Sequence, residues 1–217
     1  MNSRELLNAL SVAERLKDTT RHCYTSKGRH ESVAEHSWMM TLMAFFMRDE
    51  FPDVDMDKVI RMCIIHDLGE CFTGDIPTFD KKQVHEDIEE NLLFNWIDTL
   101  PSYYAEEMKA LYNEMTERKT VEAKIYKAID SLEALIQHNA SDLSTWIPKE
   151  YKLNLTYADD RVSFFRISYY ITTSYTRGYT CKDRKNSYKY CLSQRRSTVK
   201  SWSLLFYPLL RKELAYE

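Results

Sequence analysis

The sequence predicts an all-helical bundle, and three observations carry that prediction. Glycine and proline are scarce, 4 and 5 in 217 residues, so few positions break a helix. Several long segments repeat apolar residues with a 3.6-residue period. Helix-opening signals stand in front of those segments, the clearest being Ser32-Val-Ala-Glu35, a capping-box pattern.

The elements follow in order. Leu6, Leu7, Leu10, Ala13 and Leu16 form an apolar stripe that predicts a helix over 2–16, followed by a polar loop through Gly28 and Arg29. The second helix opens at Ser32 and ends at Phe51-Pro52, with His36 on the same face as Val33, Met40, Met43 and Met47. The third is capped by Asp55 or Asp57 and runs through Val59, Met62 and Cys63 to His66-Asp67, with Gly69 placed to supply a left-handed cap. Residues 70–78 read as a polar loop, 80–98 as a helix, and Pro101 starts another that reaches Met115. Thr120 to His138 is the next strong helix, with Val121, Ile125, Ile129, Leu132 and Ile136 as its stripe and Asp130 on the edge of it. His30, His85 and His138 read as surface residues.

Polar groups on apolar faces are the chemical signal. Val59, Met62 and Cys63 precede His66 by seven, four and three residues, so the imidazole points the way they do. Taken by itself, the His66-Asp67 pair is most simply a core histidine bonded to a neighbour. With His36 and Asp130 the set becomes two imidazoles and two carboxylates from three helices, directed at an interior where unpaired charge is expensive. One divalent cation of the Mn, Co, Fe, Ni or Zn type suits such ligands, and bundle cores are where they converge.

Composition narrows the function classes. The five cysteines are odd in number and form no Cys-x-x-Cys, which points to reduced thiols and a cytoplasmic location. No apolar run is long enough to span a bilayer, and the N-terminus has no signal-peptide pattern. Residues 161–217 hold 12 Lys+Arg against 3 Asp+Glu, a net of +9, which leaves −12 for residues 1–160. The tail is rich in Tyr and Ser and loses helical periodicity, as an altered reading of the final coding segment would produce. Its basic residues are scattered, which argues against a nucleic-acid-binding arm. The expected organisation is a helical domain over 1–160 and an atypical C-terminal segment over 161–217.

The order His36 … His66-Asp67 … Asp130, with Glu-Ser-Val-Ala-Glu-His-Ser (31–37), His-Asp-Leu-Gly-Glu (66–70), Thr-Gly-Asp-Ile-Pro-Thr (73–78), Glu-Ala-Lys (122–124) and Ala-Ile-Asp-Ser-Leu-Glu-Ala (128–134), resembles the HD-domain phosphohydrolases. The branch it is similar to contains the 5′-deoxynucleotidases. The resemblance implies an HD-domain helical bundle over residues 1–160 and hydrolysis of (deoxy)nucleoside 5′-monophosphates. It implies His36, His66, Asp67 and Asp130 as metal ligands, Glu70 and Asp75 as catalytic acids, and Arg21 as the phosphate-binding residue. Lys81, after the Pro77-Thr78 turn, adds positive charge for substrate. A homodimer is a further implication. Where the deoxynucleotidases follow the arginine with tryptophan, this chain has His22, which bears on the sugar preference. The alternatives are another nucleotide phosphohydrolase of the same type, or an idle HD scaffold.

Overall fold

The computed structural model describes residues 1–154 and 156–162. The readings made for residues 163–217, including the basic segment and its altered-frame interpretation, lie outside the described residues.

The described residues form nine α-helices and one hairpin: α1 (Ser3–Ala13), β1 (Thr20–Tyr24), β2 (His30–Ser32), α2 (Val33–Phe46), α3 (Met56–Ile65), α4 (Glu70–Thr73), α5 (Gln83–Ile97), α6 (Ser102–Glu117), α7 (Val121–Ala140), α8 (Pro148–Leu153) and α9 (Asp159–Val162). α2, α3 and α7 pack against one another and carry the centre of the core. Val33, Met40 and Ala44 from α2, Val59, Met62 and Cys63 from α3, and Ile125, Ala128, Ile129 and Leu132 from α7 are all fully buried.

The cap signals hold. Ser32 Oγ accepts from the Glu35 N–H at 3.2 Å and Glu35 Oε2 accepts from the Ser32 N–H at 2.9 Å, closing the capping box of α2. Asp55 caps α3 through the Lys58 N–H at 2.9 Å, and Thr120 caps α7 through the Ala123 N–H at 3.2 Å. Pro101 stands at the start of α6 as expected.

Five expectations are corrected. The polar loop after the first helix contains the antiparallel β1–β2 hairpin, because Thr20–Tyr24 finds a partner only in the residues that lead into α2. The sequence left the direction of the α1 stripe open: Leu6, Leu7 and Leu10 are exposed, Ala13 packs against the core, and Leu16, in the following 3-10 turn, is buried in it. Periodicity shows that a helix has an apolar face; it does not show what covers that face. Residues 70–73 are helical (α4) rather than loop. Gly69 is right-handed, with φ −58°. It lacks a side chain for steric reasons, since a Cβ there would stand 2.7 Å from Glu89 Cγ. The left-handed glycine of this region is Gly74, φ +76°. His138 is mostly covered and stacks on Trp146 with ring centroids 3.7 Å apart. His30 is exposed as expected, whereas His85 is partly covered.

Candidate metal centre

Each inward polar residue is delivered by one element of the α2–α3–α7 core or by the turn next to it. His36 sits in the first turn of α2, one position after the capping-box glutamate. His66 ends α3 and Asp67 lies in the turn that follows. Asp130 is at the middle of α7. The structure brings these four together. His36 Nε2 lies 3.2 Å from Asp130 Oδ1 and 3.9 Å from Asp67 Oδ2, and His66 Nε2 lies 2.8 Å from the same Asp67 oxygen. The two imidazole rings have centroids 5.2 Å apart.

The donor set suits a small divalent cation, on two observations. His66 Nδ1–H donates to the Cys63 carbonyl at 3.0 Å, so a neutral ring turns the lone pair of Nε2 toward Asp67. That buried Nε2 makes no hydrogen bond among the described residues, although a carboxylate oxygen stands beside it. Two lone pairs facing each other at such range repel unless a cation lies between them. The spacing also fits, because metal bonds of about 2.0–2.2 Å at right angles set neighbouring donor atoms about 3 Å apart. Electrostatics agree. Burial disfavours charge on His36, and so does Arg21, yet its bonds to Asp130 and Glu133 outweigh both and push the imidazole up to about 9. The surroundings of His36 thus favour positive charge at this position. Burial also opposes the charge of Asp130, which Lys127 and His36 nevertheless hold well below the usual carboxylate range. Lys127 Nζ donates to Asp130 Oδ2 at 2.6 Å.

The remaining site residues surround this cluster. Arg21, on β1, has a side chain only 14% exposed; its Nη1 makes no hydrogen bond among the described residues and lies 3.8 Å from Glu133 Oε2. Burial works against its charge, and Glu133 foremost among its acidic neighbours keeps the guanidinium ionised. Glu70 begins α4, is 5% exposed, and leaves Oε2 without a hydrogen bond among the described residues. Burial, reinforced by Asp67 and Asp75, pushes its carboxyl up to about 10, so it carries a proton at neutral pH. Asp75 is also raised by burial, with Arg21 opposing. Lys81 is engaged by Glu89 at 2.9 Å, which makes it less available to an anion than the sequence implied.

Arg21 and Asp75 also line a cavity of about 100 Å³ whose other walls include His22, Phe79, Leu135, His138, Glu150 and Tyr157. His22 Nε2 pairs with Glu150 Oε1 at 2.8 Å and meets Phe79 edge-on.

Sequence reasoning missed Glu31 and Glu133, 3% and 1% exposed. A signal existed for Glu133: it follows Asp130 by three residues on α7, hence lies one turn along the same face. Glu31 sits on β2 within a segment read as loop, so no periodicity could mark it.

An HD-domain family model matches residues 13–165. The chain belongs to the HD-domain family. It is 31% identical over 140 residues to human 5′-deoxynucleotidase HDDC2, covering 62% of this chain and 67% of that protein. It is 29% identical over 136 residues to the 5′-deoxynucleotidase hdd1 of Schizosaccharomyces pombe, covering 59% and 68%. Among solved structures, one described as a predicted metal-dependent phosphohydrolase from Magnetospirillum magnetotacticum superposes with a TM-score of 0.61 at 26% identity, over 80% of this chain and 96% of that one. Within the HD-domain family the chain is a phosphohydrolase of the 5′-deoxynucleotidase-like branch, and membership in it implies a divalent metal. Among the described residues no helix is long and apolar enough to cross a membrane.

Proposed function

We propose that this HD-domain protein hydrolyses (deoxy)nucleoside 5′-monophosphates to nucleoside and phosphate. The observation that carries the reading is the convergence of His36, His66, Asp67 and Asp130 beside a buried, ionised arginine whose Nη1 makes no hydrogen bond among the described residues. A phosphomonoester needs charge neutralised on its oxygens, an activated water, and a proton for the leaving alkoxide. A divalent cation held by the four ligands supplies Lewis acidity and lowers the pKa of water.

The chain's own residues do the rest. Nδ1–H of His36 and of His66 is committed to Glu133 and to the Cys63 carbonyl, which turns each Nε2 toward the carboxylates with which it would share a cation. Arg21 Nη1 makes no hydrogen bond among the described residues and lies 3.8 Å from Glu133 Oε2, so its N–H groups can still donate to a phosphate oxygen. Glu70 holds a proton for the departing 5′ oxygen, and Asp75 accepts one from the attacking water. The nucleoside then extends past Arg21 into the cavity, where Phe79, Leu135 and Tyr157 give apolar walls and His22–Glu150 a polar one.

The test is phosphate release from a panel of ribo- and deoxyribonucleoside mono- and triphosphates and cyclic nucleotides, with several metals and with chelator. The proposal expects release from 5′-monophosphates that stops on chelation and is absent in Asp67→Asn. Turnover only of triphosphates or cyclic nucleotides moves the substrate class. Metal binding without any turnover points to an idle scaffold.

A further inference from the structure

We infer that Glu133 is the positioning residue that fixes His36 for metal binding, and that Arg21 braces Glu133 in that role; the inference rests on the metal reading of His36. Glu133 is 1% exposed, and it comes from α7 while the imidazole it meets comes from α2. Its Oε2 accepts the hydrogen bond from His36 Nδ1–H. The same oxygen lies 3.8 Å from Arg21 Nη1, and Arg21 Nε lies 3.9 Å from Glu31 Oε2.

The logic is one of tautomers. An imidazole can present Nε2 to a cation only if its proton sits on Nδ1, and an anionic acceptor at Nδ1 both holds it there and makes Nε2 a better donor. His66 has only a backbone carbonyl for this purpose. His36 has a carboxylate, so the electrostatic reinforcement is concentrated on one of the two ligands.

Glu31, Glu133 and His36 also sit close enough together to form a second donor cluster. A second metal is a poorer reading of it, because the Arg21 guanidinium already provides the cation between the two carboxylates. Arg21 therefore stabilises a buried charge on Glu133 that burial would otherwise make expensive. The residue read as the phosphate anchor and the residue read as a metal ligand are joined through one carboxylate.

The test uses Co²⁺ alone as the probe, added to chelator-treated full-length protein and followed by calorimetry and by its visible absorption. Glu133→Gln keeps the reach and removes the charge. Glu133→Asp keeps the charge for Arg21 and withdraws the oxygen from His36. Both are expected to weaken Co²⁺ binding about 10–100-fold, and more than Glu31→Gln, which removes a neighbouring charge but no hydrogen bond to His36. Wild-type affinity in either folded Glu133 variant overturns the inference and leaves the metal reading standing. Failure of the wild-type protein to bind Co²⁺ overturns both. Should neither variant fold, the Zn²⁺-loaded wild-type protein still decides. A strongly downfield ¹⁵N-coupled histidine Nδ1–H resonance in its proton NMR spectrum is expected, and its absence overturns the inference.

Discussion

Glu70 shows how far burial moves an ordinary carboxyl. Its carboxyl is pushed up to about 10 in the folded chain against an ordinary value of 4.5, so between those values the native state binds a proton that the unfolded chain has released. Stability therefore falls as pH rises through that window. Glu70→Gln cannot titrate and removes this dependence. In metal-free protein the melting temperature of the variant, relative to wild type, is expected to climb by about 2–4 °C for each kcal/mol gained as pH goes from 5 to 9, while phosphate release is abolished. Thermal melts at the two pH values check it; a constant difference would show that Glu70 is ionised in the folded chain. His66 makes a second point at this scale. Its orphaned Nε2 beside Asp67 is a local cost that a bound cation removes.

At the scale of the element, the site is only as well placed as α2, α3 and α7. Leu132 is fully buried on α7 and lies between Asp130 and Glu133 in sequence. Leu132→Ala is expected to cost about 2–5 kcal/mol in urea unfolding and to weaken metal binding as well, since both acids ride on that helix. Ser32→Ala removes the cap from which α2 starts, four residues before His36, at an expected cost of about 1 kcal/mol. A loss indistinguishable from zero would mean that tertiary packing alone fixes the start of α2. These core elements were legible in the sequence because each combines a cap with an apolar stripe. The hairpin was not, since Thr20–Tyr24 and His30–Ser32 are short, polar and paired only with each other. Arg21 was found by motif alone. The sequence left the exposed face of α1 open, because a leucine stripe looks the same whether or not anything covers it.

At the scale of the whole molecule, the described residues form one scaffold in which α2, α3 and α7 meet at the candidate metal centre. His36, His66, Asp67 and Asp130 were legible because polar residues on apolar faces are rare and because their order in the chain matches a family. Glu31 and Glu133 were less so, for a buried carboxylate looks like a surface one until its partner is known. If the centre is where the folded state gathers its charge, metal should bind the native chain and not the unfolded one. Saturating Mn²⁺ or Co²⁺ is then expected to add about 4 kcal/mol at a thousandfold excess over the dissociation constant, seen as a higher melting temperature that chelator reverses. No shift would mean that the cluster is held by protons alone. The most direct test of the central claim is a crystal structure of the Co²⁺-loaded protein with anomalous scattering at the cobalt edge. The account predicts one peak bonded to His36 Nε2, His66 Nε2, an Asp67 oxygen and an Asp130 oxygen; a peak that leaves out two or more of these side chains would contradict it.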